Sequence, residues 1–378
     1  MKQKKVLGIL LACLLLAGCS YNTAPPEPGP NPAGTDPLTV GDLPPVALEI
    51  NKEKADKPLV FQGVVGKAPE VIRKDSTIKL TFAGDCMTAT YLGQVTAGSF
   101  SSKALEGDWE YFLDGVDEYF EADDFTIVNL ETVLTDNDLS PVAKDHSPAY
   151  WYKGPTENTQ IFTTQSVEIM NLANNHFGDY GTQGRTDTIQ ACEDAGLLWG
   201  NNDKTVYVEK DGFTIAFIFH GLWFEGQEQT IISRIQEAET QSDFQVVYYH
   251  GGTERIHQPE EWKQRASRRL VDAGADLVIG NHPHVLQPME TYQGVPIIYS
   301  MGNFCYGGSR YPENRTILYT YELTVDPETK EVLKTEGEIV PCYVYTGDQN
   351  NYQPAVITDE AQRQKVLDFM NGLSDSPI

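Results

Sequence analysis

The chain has 378 residues and a formal net charge of −26 at pH 7, from 54 acidic and 28 basic residues. A surface this acidic argues against a nucleic-acid partner, because binding to phosphates is driven by clustered lysine and arginine. Hydrophobic residues make up 40% of the chain and charged residues 22%, which excludes wholesale disorder and allows a large core. Any anionic ligand would need a local cation to bind it.

The N-terminus has the pattern of a bacterial lipoprotein export signal. Three lysines precede an apolar run, 6–17, that is too short to span a bilayer as a helix. The run ends in Leu-Ala-Gly before Cys19, the arrangement in which the cysteine receives a lipid and becomes the new N-terminus. We therefore expect 1–18 to be a signal peptide and Cys19 to anchor the protein on the extracytoplasmic face of the cell membrane. An ordinary secretory signal with an incidental cysteine is the alternative.

Residues 19–75 are expected to form a tether. Eight prolines fall within 20–48 with glycine and asparagine between them, a composition typical of extended polyproline II. The folded part is predicted to be a domain at 76–325, with 326–378 as a C-terminal extension that packs on it. Four cysteines remain after the lipidation site without a CxxC motif, so a disulfide scaffold and a structural zinc site are not indicated. A single disulfide between Cys86 and Cys305 is left open.

From residue 77 onward, apolar strands alternate with helical segments. Strands are predicted at 78–82, 125–130, 167–172, 213–219, 244–249, 277–279, 296–299, 316–325 and 336–345. Helices are predicted at 103–121, 182–195, 259–274 and 358–372. Near-continuous apolar strands separated by helices indicate an α/β fold whose sheet is covered on both faces.

Polar side chains follow these strands at their carboxyl ends, where ligand sites form in open α/β sheets. Taken singly, each has a plain structural explanation, such as a turn or a helix cap, but their shared position favours one site. Carboxylate, amide and imidazole groups together suit one or two divalent Mn, Fe or Zn ions and lack the all-oxygen character of a calcium site. A bridging carboxylate would allow two ions. The set is Asp85, Asn129, Glu131, Asn175, His176, His250, His282 and His284.

These and neighbouring segments resemble the CapA-type proteins of poly-γ-glutamate capsule biosynthesis, a family similar to the calcineurin-like metallophosphoesterases. The resemblance covers about residues 76–325, with all segments in order. It implies a four-layer α/β/β/α sandwich with two facing sheets and the metal site at its top. The matching segments are 82–85, 129–131, 172–176 with Asp179 and Gly181, 250–254, 273–285 with Gln287 and Pro288, and 299–304.

The resemblance also implies a role for each matching residue. Asp85 resembles the first-strand carboxylate ligand, and Glu131 resembles the bridging carboxylate. Asn175 resembles the amide ligand, and His176 the adjacent acid that protonates the leaving group or stabilises the transition state. The remaining ligands are His250 and His282 for one metal and His284 for the other.

One position departs from the broader metallophosphoesterase pattern. That pattern has Asp-x-His after the first strand, and Met87 stands here in place of the histidine. A thioether is a poor ligand for a hard cation, so one metal is expected to be bound more weakly, replaced or absent. The candidate contacts for an anionic substrate are Asn129, which is already in the set above, and two further residues, Asn303 and Arg315.

Two functions follow from the residues and the resemblance together. The first is a metal-dependent hydrolase or transferase acting on a phosphoester or on a γ-glutamyl or cell-wall peptide amide. The second is a non-catalytic factor that binds or guides an anionic polymer beside capsule synthesis or export proteins. Turnover that depends on His176 would separate them. A solute-binding lipoprotein would share the anchor but not the array of histidines and carboxylates at the strand ends.

Overall fold

The computed structural model describes residues 75–145, 147–308 and 314–378. The chain divides into two units, Met1–Pro69 and Glu70–Ile378, and the described residues all belong to the second. The expected signal peptide, the lipidated Cys19 and nearly all of the tether lie outside the described residues. Among the helices that are described, none has both the length and the apolarity needed to cross a membrane.

Sixteen strands and seven α-helices make up the described part of the chain, with two 3₁₀ turns at Glu110–Phe112 and Thr156–Thr159. The strands are β1 (Ser76–Met87), β2 (Phe125–Leu130), β3 (Val133–Leu134), β4 (Lys153–Gly154), β5 (Ile169–Asn171), β6 (Leu198–Gly200), β7 (Val206–Lys210), β8 (Phe213–Gly221), β9 (Phe244–His250), β10 (Leu277–Asn281), β11 (Leu286–Tyr292), β12 (Val295–Met301), β13 (Asn303–Tyr306), β14 (Thr316–Val325), β15 (Val332–Tyr343) and β16 (Ala355–Val356). The helices are α1 (Phe100–Ala104), α2 (Asp117–Phe120), α3 (Gln160–Thr163), α4 (Gly181–Asp194), α5 (Glu228–Ala238), α6 (Glu261–Asp272) and α7 (Glu360–Met370).

Two large mixed sheets carry the fold. The first has the order β16-β15-β14-β1-β2-β5-β6, and β13 also pairs with β1. The second has the order β11-β12-β10-β9-β8-β7, and β3 pairs with β4 separately. Strands β1, β2, β5 and β6 run parallel in the first sheet, as do β8, β9, β10 and β12 in the second. The α/β class expected from the sequence is confirmed.

The sheets pack face to face over a shared apolar core. Phe82 of β1 lies 6.4 Å, between ring centroids, from Phe217 of β8 and from Tyr248 of β9. The outer face of the first sheet packs on α1 to α4, and the outer face of the second packs on α5 and α6. Burying both faces of each sheet explains why their central strands are almost continuously apolar. The order helix, sheet, sheet, helix is the four-layer arrangement that the resemblance implied.

The C-terminal segment 326–378 continues the first sheet. Strand β15 pairs antiparallel with β14 from Thr316 opposite Cys342 to Val325 opposite Val332. From α7, Phe369 joins the core between the sheets. The segment therefore shares its hydrogen bonds and its core with the strands before it.

Two expectations are corrected. The helix predicted at 103–121 is wrong, because this segment forms α1, a 3₁₀ turn and α2 in succession. Gly107 adopts a φ of 75°, and a Cβ at Gly115 would lie 2.5 Å from the Pro354 carbonyl oxygen. These glycines let the chain turn where a continuous helix would not fit. Cys86 and Cys305 are both buried free thiols, so the disulfide left open between them is absent.

We expect Gly84→Ala to lower the free energy of unfolding by about 3 kcal/mol, at the upper end of overpacking effects. A Cβ at Gly84 would lie 2.1 Å from the Gly302 carbonyl oxygen, to which the neighbouring Asp85 amide donates a hydrogen bond of 2.9 Å. Gly98→Ala is the control for backbone strain without a steric clash. A Cβ at Gly98 would meet open space, although its φ of 79° disfavours a side chain. Urea denaturation of both variants checks this, and equal losses of stability would contradict it.

Candidate metal centre

The ends of the parallel strands bring the predicted polar residues to one edge, between the two sheets. In the first sheet, Asp85 of β1 lies opposite Asn129 of β2 and opposite Asn303 of β13. In the second, His250 ends β9 opposite Asn281 of β10. Because the two sheets face each other, the carboxylates of one meet the imidazoles of the other.

The His-Pro-His segment after β10 has an unusual backbone. His282 and His284 have φ angles of 102° and 57°, a region that non-glycine residues rarely adopt. The His282 amide donates to Asp85 Oδ2 at 3.3 Å, and the Pro283 carbonyl accepts from the Arg255 amide at 2.8 Å. Such strain persists only where the surroundings fix it, and it is concentrated at functional sites. Here it brings two imidazoles to Asp85 and His250.

One group of ligand atoms centres on Asp85. Its Oδ2 lies 3.1 Å from His284 Nδ1. Asp85, Glu131 and His284 each offer one ligand atom within 4.8 Å of the others, a spacing that can hold a metal ion. Asp85 and Glu131 are fully buried.

A second group centres on His250. Its Nε2 lies 2.9 Å from Asn175 Oδ1, 3.1 Å from His282 Nδ1 and 3.7 Å from Glu131 Oε1. Glu131 thus lies near both groups, the position expected of a bridging carboxylate. The six predicted metal ligands therefore lie together in one site.

Asn129 occupies the centre of this network. Its Nδ2 donates to Asp85 Oδ1 at 2.7 Å and to Glu131 Oε1 at 3.1 Å, and it lies 3.0 Å from His250 Nδ1. The residue is fully buried. It was expected to contact substrate, and these contacts put its amide against three of the candidate ligands.

The residues present fit a divalent cation. Glu131 Oε2 is buried without a hydrogen-bond partner, and so is His284 Nδ1, which faces Asp85 without the geometry of a hydrogen bond. A buried polar atom without a partner costs about 1–3 kcal/mol, so the protein gains by binding an ion that accepts both lone pairs. A mixed set of imidazole and carboxylate donors is suited to a transition metal or zinc.

Burial and neighbouring charges set different protonation states across the site. Burial lowers the pKa of His250 and His282 well below the usual histidine range, which keeps both imidazoles neutral. Burial, reinforced by the charge of Asp85, raises the pKa of Glu131 well above its usual value. Burial alone would also raise the pKa of Asp85, but the neighbouring His284 outweighs it and lowers that pKa. Neutral imidazoles and ionised carboxylates are the forms that bind metals, so His250, His282 and Asp85 are ready to bind. Asp85 outweighs the effect of burial and raises the pKa of His284, so His284 and Glu131 would each release a proton when a cation binds.

His176 belongs to a chain of three polar side chains beside these ligands. Its Nδ1 lies 2.8 Å from Asp179 Oδ2, and Lys144 Nζ lies 2.6 Å from Asp179 Oδ1. The backbone amide of Tyr152 also donates to Asp179 Oδ2 at 3.0 Å. The other ring nitrogen, Nε2, lies 3.8 Å from Glu131 Oε2. Asp179 therefore fixes the tautomer of His176 and leaves Nε2 facing the metal ligands.

Burial affects the pKa of His176 more than the hydrogen bond to Asp179 does. Burial lowers its pKa, and the hydrogen bond to Asp179 offsets only part of that effect. The imidazole is therefore neutral at pH 7 with its Nδ1 proton held by Asp179. An imidazole in this state can accept a proton at Nε2 and pass it on.

A cavity of about 840 Å³ adjoins the site. Asn175, His176 and Glu254 form the side nearest the ligands, and Lys144 and Arg255 also line it. It thus offers room for a substrate next to His176, with two basic residues in its walls.

Glu254 is a further candidate ligand. Its carboxylate oxygen lies within 4.8 Å of ligand nitrogens of His282 and His284, and it is exposed to the cavity. Met87 stands where the broader pattern has a histidine ligand, so one of the expected metals would lack a ligand. We expect the carboxylate of Glu254 to supply the missing donor.

Glu254→Gln is therefore expected to reduce bound metal from about two ions per chain towards one, because a carboxamide oxygen is a weaker ligand than a carboxylate. Elemental analysis after gel filtration measures this. Glu261→Gln is a matched control, since Glu261 lies on α6 with 92% of its side chain exposed. Unchanged metal content in Glu254→Gln would show that Glu254 binds no metal.

The two other candidate substrate contacts are placed differently. Asn303 is buried beside the site, where its Nδ2 donates to the His284 carbonyl at 3.3 Å and its Oδ1 has no partner. The guanidinium of Arg315 donates to Gln362 at 2.9 Å and stacks on Tyr343, so its contacts are with the C-terminal segment. The anion contact expected of Arg315 finds no support in these contacts. Residues 309–313 of the preceding loop lie outside the described residues.

Four residues of the site were given no role from the sequence. Asp179 and Glu254 lie close in sequence to His176 and His250, and that spacing could have indicated both. Lys144 comes from a distant loop, and no local signal indicates it. Trp223 is the fourth, with ring centroids 5.7 Å from His250 and 5.0 Å from His282.

Comparison with known proteins identifies the class of protein. The family model described as bacterial capsule synthesis protein PGA_cap matches residues 79–307, which is more than half of the chain and includes the six predicted metal ligands. The chain belongs to this family.

Curated relatives extend the similarity over most of the chain. The PGA biosynthesis protein CapA of Bacillus subtilis is 29% identical over 321 residues, which cover 78% of this chain and 77% of that protein. The capsule biosynthesis protein CapA of Bacillus anthracis is 26% identical over 330 residues, which cover 81% and 77%.

Solved structures give a weaker match. A phosphatase from Mycoplasma pneumoniae aligns with a TM-score of 0.42 at 14% identity, over 71% of this chain and 95% of that chain. The purple acid phosphatase PPD1 of yellow lupin aligns with a TM-score of 0.31 at 9% identity, over 70% and 54%. Neither alignment defines the fold, which rests on the sheets described above.

Proposed function

We propose that this chain is a lipid-anchored enzyme of capsule synthesis that cleaves or transfers a bond of an anionic polymer at a metal centre. The observation that supports it most is the joining of two ligand groups through Glu131, with the His176–Asp179 pair directly beside them. A purely structural metal site would not need a histidine whose free nitrogen faces both the ligands and an open cavity.

The proposed metals are two Mn, Fe or Zn ions. Asp85, His284 and Glu254 would hold one, Asn175, His250 and His282 the other, and Glu131 would bridge them. Bound ions supply a nucleophile from water near neutral pH and stabilise negative charge on the reacting group.

The polymer we propose is poly-γ-glutamate, because the relatives are named for PGA and capsule biosynthesis. Hydrolysis of a γ-glutamyl amide joins the oxygen of water to the carbonyl carbon, breaks the C–N bond and releases an amine that needs a proton. His176 Nε2 would take a proton from the attacking water and deliver it to that amine while Asp179 holds the ring. In transfer, an acceptor amine takes the place of water.

Charge also favours a local anion site. The chain has a net charge of −26, so a polyanion is repelled by most of its surface. The cavity beside His176 has both basic and acidic residues in its walls, so bound cations would supply the net positive charge; the residues are Lys144, Arg255, Asp145 and Glu254. The polymer would therefore bind at the active centre more strongly than elsewhere.

Incubating the metal-loaded chain with synthetic γ-linked hexaglutamate and with an aryl phosphate ester tests this proposal. Mass spectrometry is expected to show shortened glutamate products that disappear when a chelator is added. Turnover of the phosphate ester alone would overturn the γ-glutamyl substrate. Binding of hexaglutamate without turnover of either compound would overturn the enzyme and favour a non-catalytic polymer-binding factor.

The proposed location is the outer face of the cell membrane, through a lipid on Cys19. Cys19→Ala is expected to move most of the protein from the membrane fraction to the soluble fraction, because the lipid would be the main source of membrane affinity. Cell fractionation with immunoblotting measures this, and Cys342→Ala, at a buried free thiol, is the control. A variant that stays with the membrane would contradict lipidation at Cys19.

A further inference from the structure

A second cavity, of about 500 Å³, lies on another side of the metal ligands. Asn175 lines this cavity as well as the larger one, so the amide ligand borders both. Trp223, whose ring packs against His250 and His282, also lines the smaller cavity. A polymer held at the centre therefore has room to extend past the ligands into this second space.

Arg185 lines the smaller cavity and is held there by the loop that carries Asn175 and His176. The centre of its guanidinium lies 5.9 Å from the centroid of the Phe177 ring. Its Nη2 packs on Gly178, where a Cβ would lie 2.6 Å away. Phe177 and the bare backbone of Gly178 thus form a cradle that orients a side chain which would otherwise be flexible.

The charge of Arg185 is uncompensated, in contrast to the arginines of α6. Arg268 pairs with Glu290 at 2.6 Å and Arg269 with Glu228 at 2.7 Å. Within the described residues, Arg185 has no carboxylate within 4 Å and no hydrogen bond, although Asp203 lines the same cavity. In a chain with 54 acidic residues, an oriented arginine without an acidic partner is available for an external anion.

We propose that Arg185 is a carboxylate-binding subsite for the polymer. It would bind the pendant carboxylate of a glutamyl residue beside the one whose bond lies at the metal centre. A guanidinium fixes a carboxylate through two parallel hydrogen bonds, which gives direction as well as affinity. This inference rests on the proposed function and adds a residue that selects the carboxylates of the polymer.

Calorimetric binding of two synthetic probes to the metal-loaded full chain tests the subsite. One probe is γ-linked hexaglutamate, and the other is the same hexamer with its pendant carboxylates converted to carboxamides. The wild-type chain is expected to bind the carboxylate hexamer about 10-fold or more tightly than the carboxamide hexamer. Arg185→Met is expected to lose at least 10-fold in affinity for the first probe and little for the second.

Three further variants separate the subsite from general charge effects. Arg363→Met removes the same charge from α7. Arg363 forms an ion pair of 3.9 Å with Glu360, a weak surface contact. This variant is expected to bind both probes within about twofold of wild type. Arg185→Lys should restore part of the preference for carboxylate. Gly178→Ala should weaken it without unfolding the protein, because the atoms nearest to the new Cβ belong to the guanidinium of the flexible Arg185 side chain.

The outcomes distinguish this inference from the proposed function. Equal affinities of Arg185→Met and Arg363→Met for hexaglutamate would overturn the subsite and leave the proposed function intact. A wild-type chain that holds its metals and yet binds neither hexamer would overturn the polymer substrate and the subsite together. Wild-type binding without any preference for carboxylate would overturn the subsite alone.

Discussion

Glu131→Gln is expected to abolish metal binding and, at the same time, to stabilise the metal-free protein. Glu131 is buried beside Asp85. Burial, together with the negative charge of Asp85, raises the pKa of Glu131 well above its usual value. A neutral amide of the same size removes this repulsion, so the melting temperature of the metal-free variant should rise by about 2 °C or more. The bridge between the two ligand groups is lost in the same step.

Two measurements check this prediction. In the wild type, metal at about 100 times its Kd should add about 2.7 kcal/mol to the free energy of unfolding, and in the variant it should add nothing. Elemental analysis should find metal in the wild type only. Glu228→Gln is the matched control, since Glu228 is buried but pairs with Arg269 at 2.7 Å, and this variant should lose stability and keep its metal. A less stable metal-free Glu131→Gln, or one with wild-type metal content, would contradict the role of Glu131.

His176→Asn is expected to lower kcat by about 10²–10⁴-fold while the metal content stays at the wild-type value. The side chain lies next to the ligands, yet its Nδ1 is used by Asp179 and its Nε2 is 3.8 Å from Glu131. Removing it should therefore remove the proton donor without removing a ligand. Turnover of γ-linked hexaglutamate and elemental analysis of the same sample measure the two effects.

His257→Asn is the control for this prediction. His257 Nδ1 lies 2.9 Å from the Leu286 carbonyl, and its ring packs against Phe369, so its contacts are structural. Its substitution should leave kcat within about twofold of wild type, in line with a residue that does not touch the reacting atoms. Loss of metal in His176→Asn would make His176 a ligand, and unchanged turnover would remove it from the mechanism.

Two strands of the first sheet could be predicted closely from sequence. The predictions at 125–130 and 316–325 coincide with β2 and β14. Both are buried along most of their length, so their sequences are nearly continuous apolar runs bounded by polar residues. At such positions, local pattern and tertiary packing favour the same structure.

Elements at the edges and on the surface were harder to predict. Strand β11 was missed because Pro288 interrupts its pattern, and the proline is tolerated since β11 is the edge strand of its sheet. Helix α5 was missed although its buried positions Ile231, Ile235 and Ala238 follow the i, i+4, i+7 spacing of an amphipathic helix. Strand β11, by contrast, is determined by what it packs against.

The features of the site likewise divide into those that sequence could predict and those that it could not. The ligands could be predicted because parallel strands deliver their carboxyl ends to one edge, as Asp85 and His250 illustrate. Sequence could not predict the positive φ of His282 or the positions of Lys144 and Trp223 beside the site. Each of these features depends on loops that meet only in the folded chain. Sequence thus predicted the residues that meet at the site, and the structure adds the groups that surround them.

The most direct test of the metal centre is the metal content per chain of the wild-type protein, purified without chelators or a histidine tag. Elemental analysis is expected to find about two Mn, Fe or Zn ions per chain, one for each ligand group that Glu131 joins. Absence of bound metal, even after incubation with each of these ions and gel filtration, would contradict the centre proposed here.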